Sequence, residues 1–189
     1  MIKKQLRNEL RQKLAAIPPE QIAERSQQAC ERLFDQKQYR KAEVVMVFLS
    51  LPHEINTTPV VLRSWQDRKR VLAPKVSWHQ RRMLPIEIYT LHDVAATDQL
   101  GIREPIDGQP FPVANIDLVI VPGLGFDPNG HRLGRGSGFY DRFLGQSDFA
   151  GVRCALAFEE QFVEAIPAGP HDVPIDMLIT DKTVRRFSH

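Results

Sequence analysis

The chain has 189 residues, enough for one domain with a real core, and a formal charge of only +2, from 25 Lys and Arg against 23 Asp and Glu. That balance excludes a global basic field for nucleic acid, no apolar run reaches membrane-spanning length, and Met1-Ile2-Lys3-Lys4-Gln5 lacks the apolar stretch of a secretory signal. Cys30 and Cys154 lie far apart without a C-x-x-C spacing, which suits a reduced, cytoplasmic protein with no structural disulfide.

Ile2, Leu6, Leu10 and Leu14 recur every fourth residue and predict an amphipathic helix that Pro18-Pro19 ends. A second helix is expected from Glu20 to Lys37. Glu43 to Leu49 is β-branched and apolar, the pattern of a buried strand. Thr57 to Asp67 reads as a helix with Pro59 in its first turn. Arg70 to Ala73 reads as a short strand stopped by Pro74, and Met83 to Thr90 as another. Leu91 to Gln99 is ambiguous, and Gly101 to Pro112, with three prolines and two glycines, reads as loop. A strand over Asp117–Val121, a glycine-rich turn, a helix through Leu144, a strand over Val152–Ala157 and a last strand over Met177–Thr180 complete the pattern. Such alternation predicts one α/β domain over residues 1–189, with a mainly parallel sheet flanked by helices. Ligands of such sheets bind outside the carboxyl ends of the strands. The loop after Leu49, the loop after Ala73 and the turn after Val121 all fall there.

The turn is the most informative stretch. Val121 to Arg142 holds six of the eleven glycines and three arginines. In Arg132-Leu133-Gly134-Arg135-Gly136-Ser137-Gly138 the glycines permit positive φ and close approach, so backbone N–H groups can converge on an anion. Arg132 and Arg135 offer bidentate phosphate donors. The stretch is neither a Walker P-loop nor the dinucleotide fingerprint; a flexible surface loop with solvated arginines has the same composition. Asp141 suits Mg²⁺ beside phosphate or, equally, the first turn of a helix. Asp172 is a second acid before the last strand, or a turn residue. Glu54 fits the N–H edge of a heterocycle or the cap of the helix near Thr57. Lys75 suits an anion or solvent. Lys3, Lys4 and Arg7 form a cationic cluster on the first helix, able to close over polyphosphate or to remain solvated. His53, His79, His92, His131 and His171 show no metal spacing, although His171 could assist Asp172. No serine or cysteine stands in a nucleophile's context.

Together these segments resemble the 5-formyltetrahydrofolate cyclo-ligase family, also called methenyltetrahydrofolate synthetases. The resemblance rests on Val121-Pro122-Gly123-Leu124-Gly125-Phe126-Asp127, Gly130 and Arg132 to Arg142. Lys3-Lys4-Gln5-Leu6-Arg7, Glu54-Ile55-Asn56-Thr57, Ala73-Pro74-Lys75-Val76, Gly101-Ile102-Arg103-Glu104-Pro105, His171-Asp172 and Asp176 corroborate it in order. The resemblance implies a Rossmann-like domain related to sugar-phosphate isomerases and CoA transferases. It implies ATP- and Mg²⁺-dependent closure of 5-formyltetrahydrofolate to 5,10-methenyltetrahydrofolate, with ADP and phosphate released, through an imidate phosphate. By position, Lys3, Lys4, Arg7 and Arg132, Leu133, Gly134, Arg135, Gly136, Ser137, Gly138, Phe139 and Tyr140 would bind ATP. Leu49, Glu54 and residues Arg135 to Phe139 would bind the folate. Arg135 and Asp141 would serve catalysis, and Asp141 and Asp172 would hold Mg²⁺. Ser137 departs from the Gly or Lys common in the family. A monomer acting on small molecules, with no nucleic-acid or membrane partner, is expected. The rival readings are a sugar-phosphate isomerase, for which the chain offers no convincing base beyond Glu54 or Asp141, and a non-catalytic folate or nucleotide binder.

Overall fold

The computed structural model describes residues 2–97 and 101–189. Helix α1 (Lys3–Ala15) buries Leu6, Leu10 and Leu14 of the expected stripe, while Ile2 precedes the helix and is exposed. Helix α2 (Pro19–Phe34) starts with a proline, whose missing N–H costs nothing at a helix start. The expected single helix to Lys37 breaks after Phe34, because Gln36 is extended (ψ 139°). A short α3 (Lys37–Lys41) then sets Tyr39 into the core, its hydroxyl donating to Asp67 Oδ2 at 3.0 Å.

Strand β1 (Val44–Val47) is buried throughout and leads through the loop of residues 48–57 into α4 (Thr58–Gln66). Strand β2 (Arg70–Ser77) corrects the expectation that Pro74 ends it: it runs on and pairs antiparallel with β3 (Arg82–Glu87). Pro74 stands opposite Pro85, past the last residue of β2 that pairs with β1, so no ladder bond needs its missing N–H. The ambiguous segment and the expected loop form a two-stranded arm, β4 (Val94–Ala96) with β5 (Arg103–Pro105). The last residues of the ambiguous segment, Asp98 and Gln99, lie outside the described residues.

After β6 (Leu118–Val121) the glycine-rich stretch is not one turn. It contains a small hairpin, β7 (Gly125–Phe126) with β8 (Arg132–Leu133), before α5 (Phe139–Leu144). Strand β9 (Val152–Ala157) and β10 (Met177–Thr180) follow. The chain continues into an unexpected antiparallel edge strand, β11 (Val184–Arg186), so β10 is not the last.

The main sheet has the order β11-β10-β9-β6-β1-β2-β3, with five central strands parallel and both edges antiparallel. The chain moves from β1 outward to β2 on one side, then returns to β6 on the other. The topological switch therefore lies between β1 and β6, and a crevice opens outside their carboxyl ends. Apolar clusters pack on both faces of the sheet. Helix α1 packs against the β7–β8 hairpin: a Cβ at Gly125 would lie 2.6 Å from Leu10 Cδ1, so a side chain there would displace Leu10. No helix among the described residues is long and apolar enough to cross a membrane. Both cysteines are buried and free, and burial pushes the Cys30 thiol up to about 12, away from reactivity.

Candidate active site

A cleft of about 530 Å³ opens at the switch point, within the size range of small-molecule sites. Leu49 and Glu54 reach it from the loop after β1, and Pro122 and Gly123 from the end of β6. The wall from Arg132 to Asp141, Asp172, and Lys3 and Arg7 of α1 complete that side. The sequence-distant candidates thus converge.

Contacts within the cleft decide several open alternatives. Arg7 Nε donates to the Gly134 carbonyl at 2.9 Å, fastening α1 to the glycine wall. Its guanidinium lies over Gly136, where a Cβ would stand 3.8 Å from Arg7 Cζ. Gly136 and Gly138 have φ of 117° and 67°, conformations that disfavour any side chain. Among the described residues no protein acceptor takes the backbone N–H of residues 135, 136, 137 or 138, so this wall presents a row of open donors.

Glu54 does not cap α4. Its Oε2 accepts the Leu51 N–H at 2.9 Å, and Oε1 receives Arg135 Nη2 at 2.5 Å. Arg132 is not a free phosphate donor. Its side chain is 4% exposed and lies 5.7 Å from the Tyr140 ring. Nη2 donates to Asp141 Oδ1 at 2.9 Å, and Nη1 to the Pro122 carbonyl at 3.3 Å. Arg132 is therefore a positioning residue for Asp141, which also accepts the Val173 N–H at 3.2 Å. Leu133 is buried in the core, and burial raises the Tyr140 phenol, so it stays neutral.

Asp172 Oδ2 receives Lys3 Nζ at 2.5 Å and the Gly169 N–H at 2.8 Å. Burial alone would raise this carboxyl; the Lys3 and Gly169 hydrogen bonds and the charges of Lys3 and Arg132 outweigh it and hold it low. Asp141 and Asp172 each keep a second oxygen with no protein partner among the described residues. No group of three or more His, Cys, Asp and Glu converges among those residues. Two carboxylates beside open phosphate donors fit Mg²⁺, which takes few protein ligands and fills its shell with water and phosphate oxygens.

Some candidates stay outside. Lys4 and His171 are exposed and do not line the cleft. Lys75 lies in β2 and donates to the Ile106 carbonyl at 3.0 Å. Residues outside the expected set also line the cleft: Val76, Trp78 and Met83 of the β2–β3 hairpin, Thr97, and Arg103 and Glu104 of β5. Their sequence signal is faint, because the hairpin and the arm are both built across prolines.

A crevice at the switch point of a largely parallel sheet, edged by a glycine-rich wall and two carboxylates, defines a Rossmann-like binder of phosphorylated ligands. The profile of the 5-formyltetrahydrofolate cyclo-ligase family matches residues 1–181, and the chain belongs to that family. It is 33% identical to the 5-formyltetrahydrofolate cyclo-ligase of Escherichia coli, over 93% of this chain and 98% of that one. It is 28% identical to the protein of that name in Mus musculus, over 94% and 92%. The solved structure of the Aquifex aeolicus 5,10-methenyltetrahydrofolate synthetase superposes with a TM-score of 0.86 at 28% identity, covering 100% of this chain and 94% of that one. These matches favour the cyclo-ligase reading over the isomerase.

Proposed function

We propose that the chain converts 5-formyltetrahydrofolate and ATP into 5,10-methenyltetrahydrofolate, ADP and phosphate. One observation carries the reading. The open N–H groups of residues 135–138 and the half-free carboxylates of Asp141 and Asp172 line the same cleft as Leu49 and Glu54.

A formamide carbon is a weak electrophile, and its oxygen leaves poorly. In the proposed sequence the formyl oxygen attacks the γ-phosphorus and the bond to ADP breaks. The N10 lone pair then adds to the activated carbon and N10 loses its proton. Finally the carbon–oxygen bond breaks, phosphate departs, and the amidinium of the product remains. No protein nucleophile is required, so the work is positioning and charge neutralisation.

Lys3, Arg7 and the Gly134–Gly138 backbone bind the phosphates in this account, and Arg135 meets the transferring group. Asp141 and Asp172 hold Mg²⁺, with Asp141 aimed by Arg132. Bound there, the ion would supply charge neutralisation at the phosphate oxygens. Glu54 accepts hydrogen bonds from the pterin edge, and Leu49 packs on the ring.

The order of bond changes fixes the fate of one atom. Substrate labelled with ¹⁸O in the formyl group must yield labelled inorganic phosphate. Unlabelled phosphate would refute attack by the formyl oxygen.

A further inference from the structure

Every charged side chain lining the cleft but one has a partner among the described residues. Lys3 pairs with Asp172, Arg7 with the Gly134 carbonyl, Arg135 with Glu54 and Arg132 with Asp141, while Glu104 accepts the Val76 N–H at 3.0 Å. Among the described residues Arg103 has no side-chain hydrogen bond, ion pair or ring contact, and it is half-buried. An arginine held in a cleft wall without a counter-charge is a carboxylate or phosphate receptor awaiting its ligand.

Its place in the fold separates the two. The phosphate-binding groups belong to α1, the glycine wall and the Asp172 loop. Arg103 belongs to the β4–β5 arm, which the Glu104–Val76 bond ties to β2. The cleft lining contributed by the β2–β3 hairpin and its turn is apolar: Pro74, Val76, Trp78 and Met83. Trp78 is 70% exposed, and its ring stands edge-on to Phe139, centroids 5.0 Å apart. A large exposed indole beside a cleft is a platform for another aromatic ring. Apolar lining with an aromatic platform and an unpaired cation suits an aryl group that carries a carboxylate on a short tail.

We infer that Arg103 binds a carboxylate of the glutamate carried by the folate, with Trp78 packing on the aryl ring that precedes it. This rests on the proposed cyclo-ligase reading and names the part of the substrate that the glycine wall does not touch. A guanidinium–carboxylate pair at a half-exposed site is worth roughly 10-fold in affinity.

The test compares kcat/KM for 5-formyltetrahydrofolate and for the same compound with its glutamate replaced by methylamine, the uncharged N-methylamide of 5-formyltetrahydropteroate, with saturating Mg²⁺·ATP. The wild-type protein is expected to favour the complete substrate by about 10-fold. Arg103→Ala should bring that ratio close to one, and Arg103→Lys should restore part of it. Trp78→Ala should weaken both compounds alike, since both retain the ring. Equal use of the two compounds by the wild-type protein, or an undiminished preference in Arg103→Ala, would overturn the assignment. A rise in the KM for ATP in Arg103→Ala with the preference intact would assign Arg103 to phosphate instead and overturn it too. Failure of the wild-type protein to turn over either compound would remove the cyclo-ligase reading itself, and this assignment with it.

Discussion

Arg135 and Glu54, 81 residues apart in the chain, meet in the cleft with Nη2 2.5 Å from Oε1. The pair joins the glycine wall to the loop after β1. Both Glu54 oxygens are engaged, one by Arg135 and one by the Leu51 N–H. A heterocycle that needs Glu54 must displace Arg135, and a polyphosphate on the glycine wall attracts that same guanidinium. Nucleotide and folate are therefore expected to bind with positive coupling, which is reciprocal by linkage. A non-hydrolysable ATP analogue should tighten folate binding about 5- to 10-fold in the wild-type protein and not in Arg135→Ala. Equal tightening in both, measured calorimetrically, would dismiss the pair as the coupling element.

Glu54→Ala should weaken folate binding by about 10- to 100-fold, because a carboxylate accepting N–H bonds in a partly desolvated site is lost. The KM for ATP should change far less. Unchanged folate affinity would limit Glu54 to ordering the loop through Leu51.

Asp141→Asn keeps an acceptor near Arg132 and Val173 but removes the charge. Turnover should fall at least about 100-fold through lost neutralisation of the phosphates. Stability should fall by about 2 kcal/mol, since the buried Arg132 guanidinium loses its counter-ion. Near-normal kcat in a folded variant would exclude Asp141 from the mechanism.

Much of this was legible in the chain. The Leu6, Leu10, Leu14 stripe marked α1, and the apolar runs ending at Leu49 and Val121 marked the two strands whose carboxyl ends frame the cleft. Local pattern could not reveal what tertiary contacts decide. Pro74 reads as a stop, but past the part of β2 that pairs with β1, and opposite Pro85, it lets β2 continue. Arg132 and Arg135 look alike in sequence, yet one is buried and holds Asp141 while the other is half-exposed and faces Glu54. Lys3 and Asp172 are 169 residues apart, and only the packing of α1 brings them together.

That packing has a consequence. Gly125→Ala would place a Cβ 2.6 Å from Leu10 Cδ1, and because Leu10 is fully buried its displacement should disturb the seating of α1. Lys3 and Arg7 move with the helix, so the KM for ATP should rise about 5-fold or more while overpacking costs about 1–3 kcal/mol. Destabilisation without any change in ATP affinity would separate the helix from the nucleotide site.

Away from the cleft, Arg25 binds Glu160 through both terminal nitrogens and the buried Asp181 through Nε at 2.7 Å. The Arg25 bond holds the Glu160 carboxyl below its ordinary value against the opposing effect of burial. A depressed carboxyl contributes stability that is present above its unfolded pKa and lost as pH falls through the folded one. Arg25→Ala should cost about 2 kcal/mol at neutral pH, and the gap in Tm should narrow as pH drops below about 4. A gap independent of pH would mean that Arg25 acts through packing on Phe158 alone.

The central claim is ATP-driven ring closure in this cleft. The most direct measurement is the ultraviolet absorbance of the protein mixed with 5-formyltetrahydrofolate, ATP and Mg²⁺, against the same mixture without ATP. The methenyl product's band, absent from the substrate, should grow steadily only when ATP is present. No growth, from protein that binds both ligands, would contradict it.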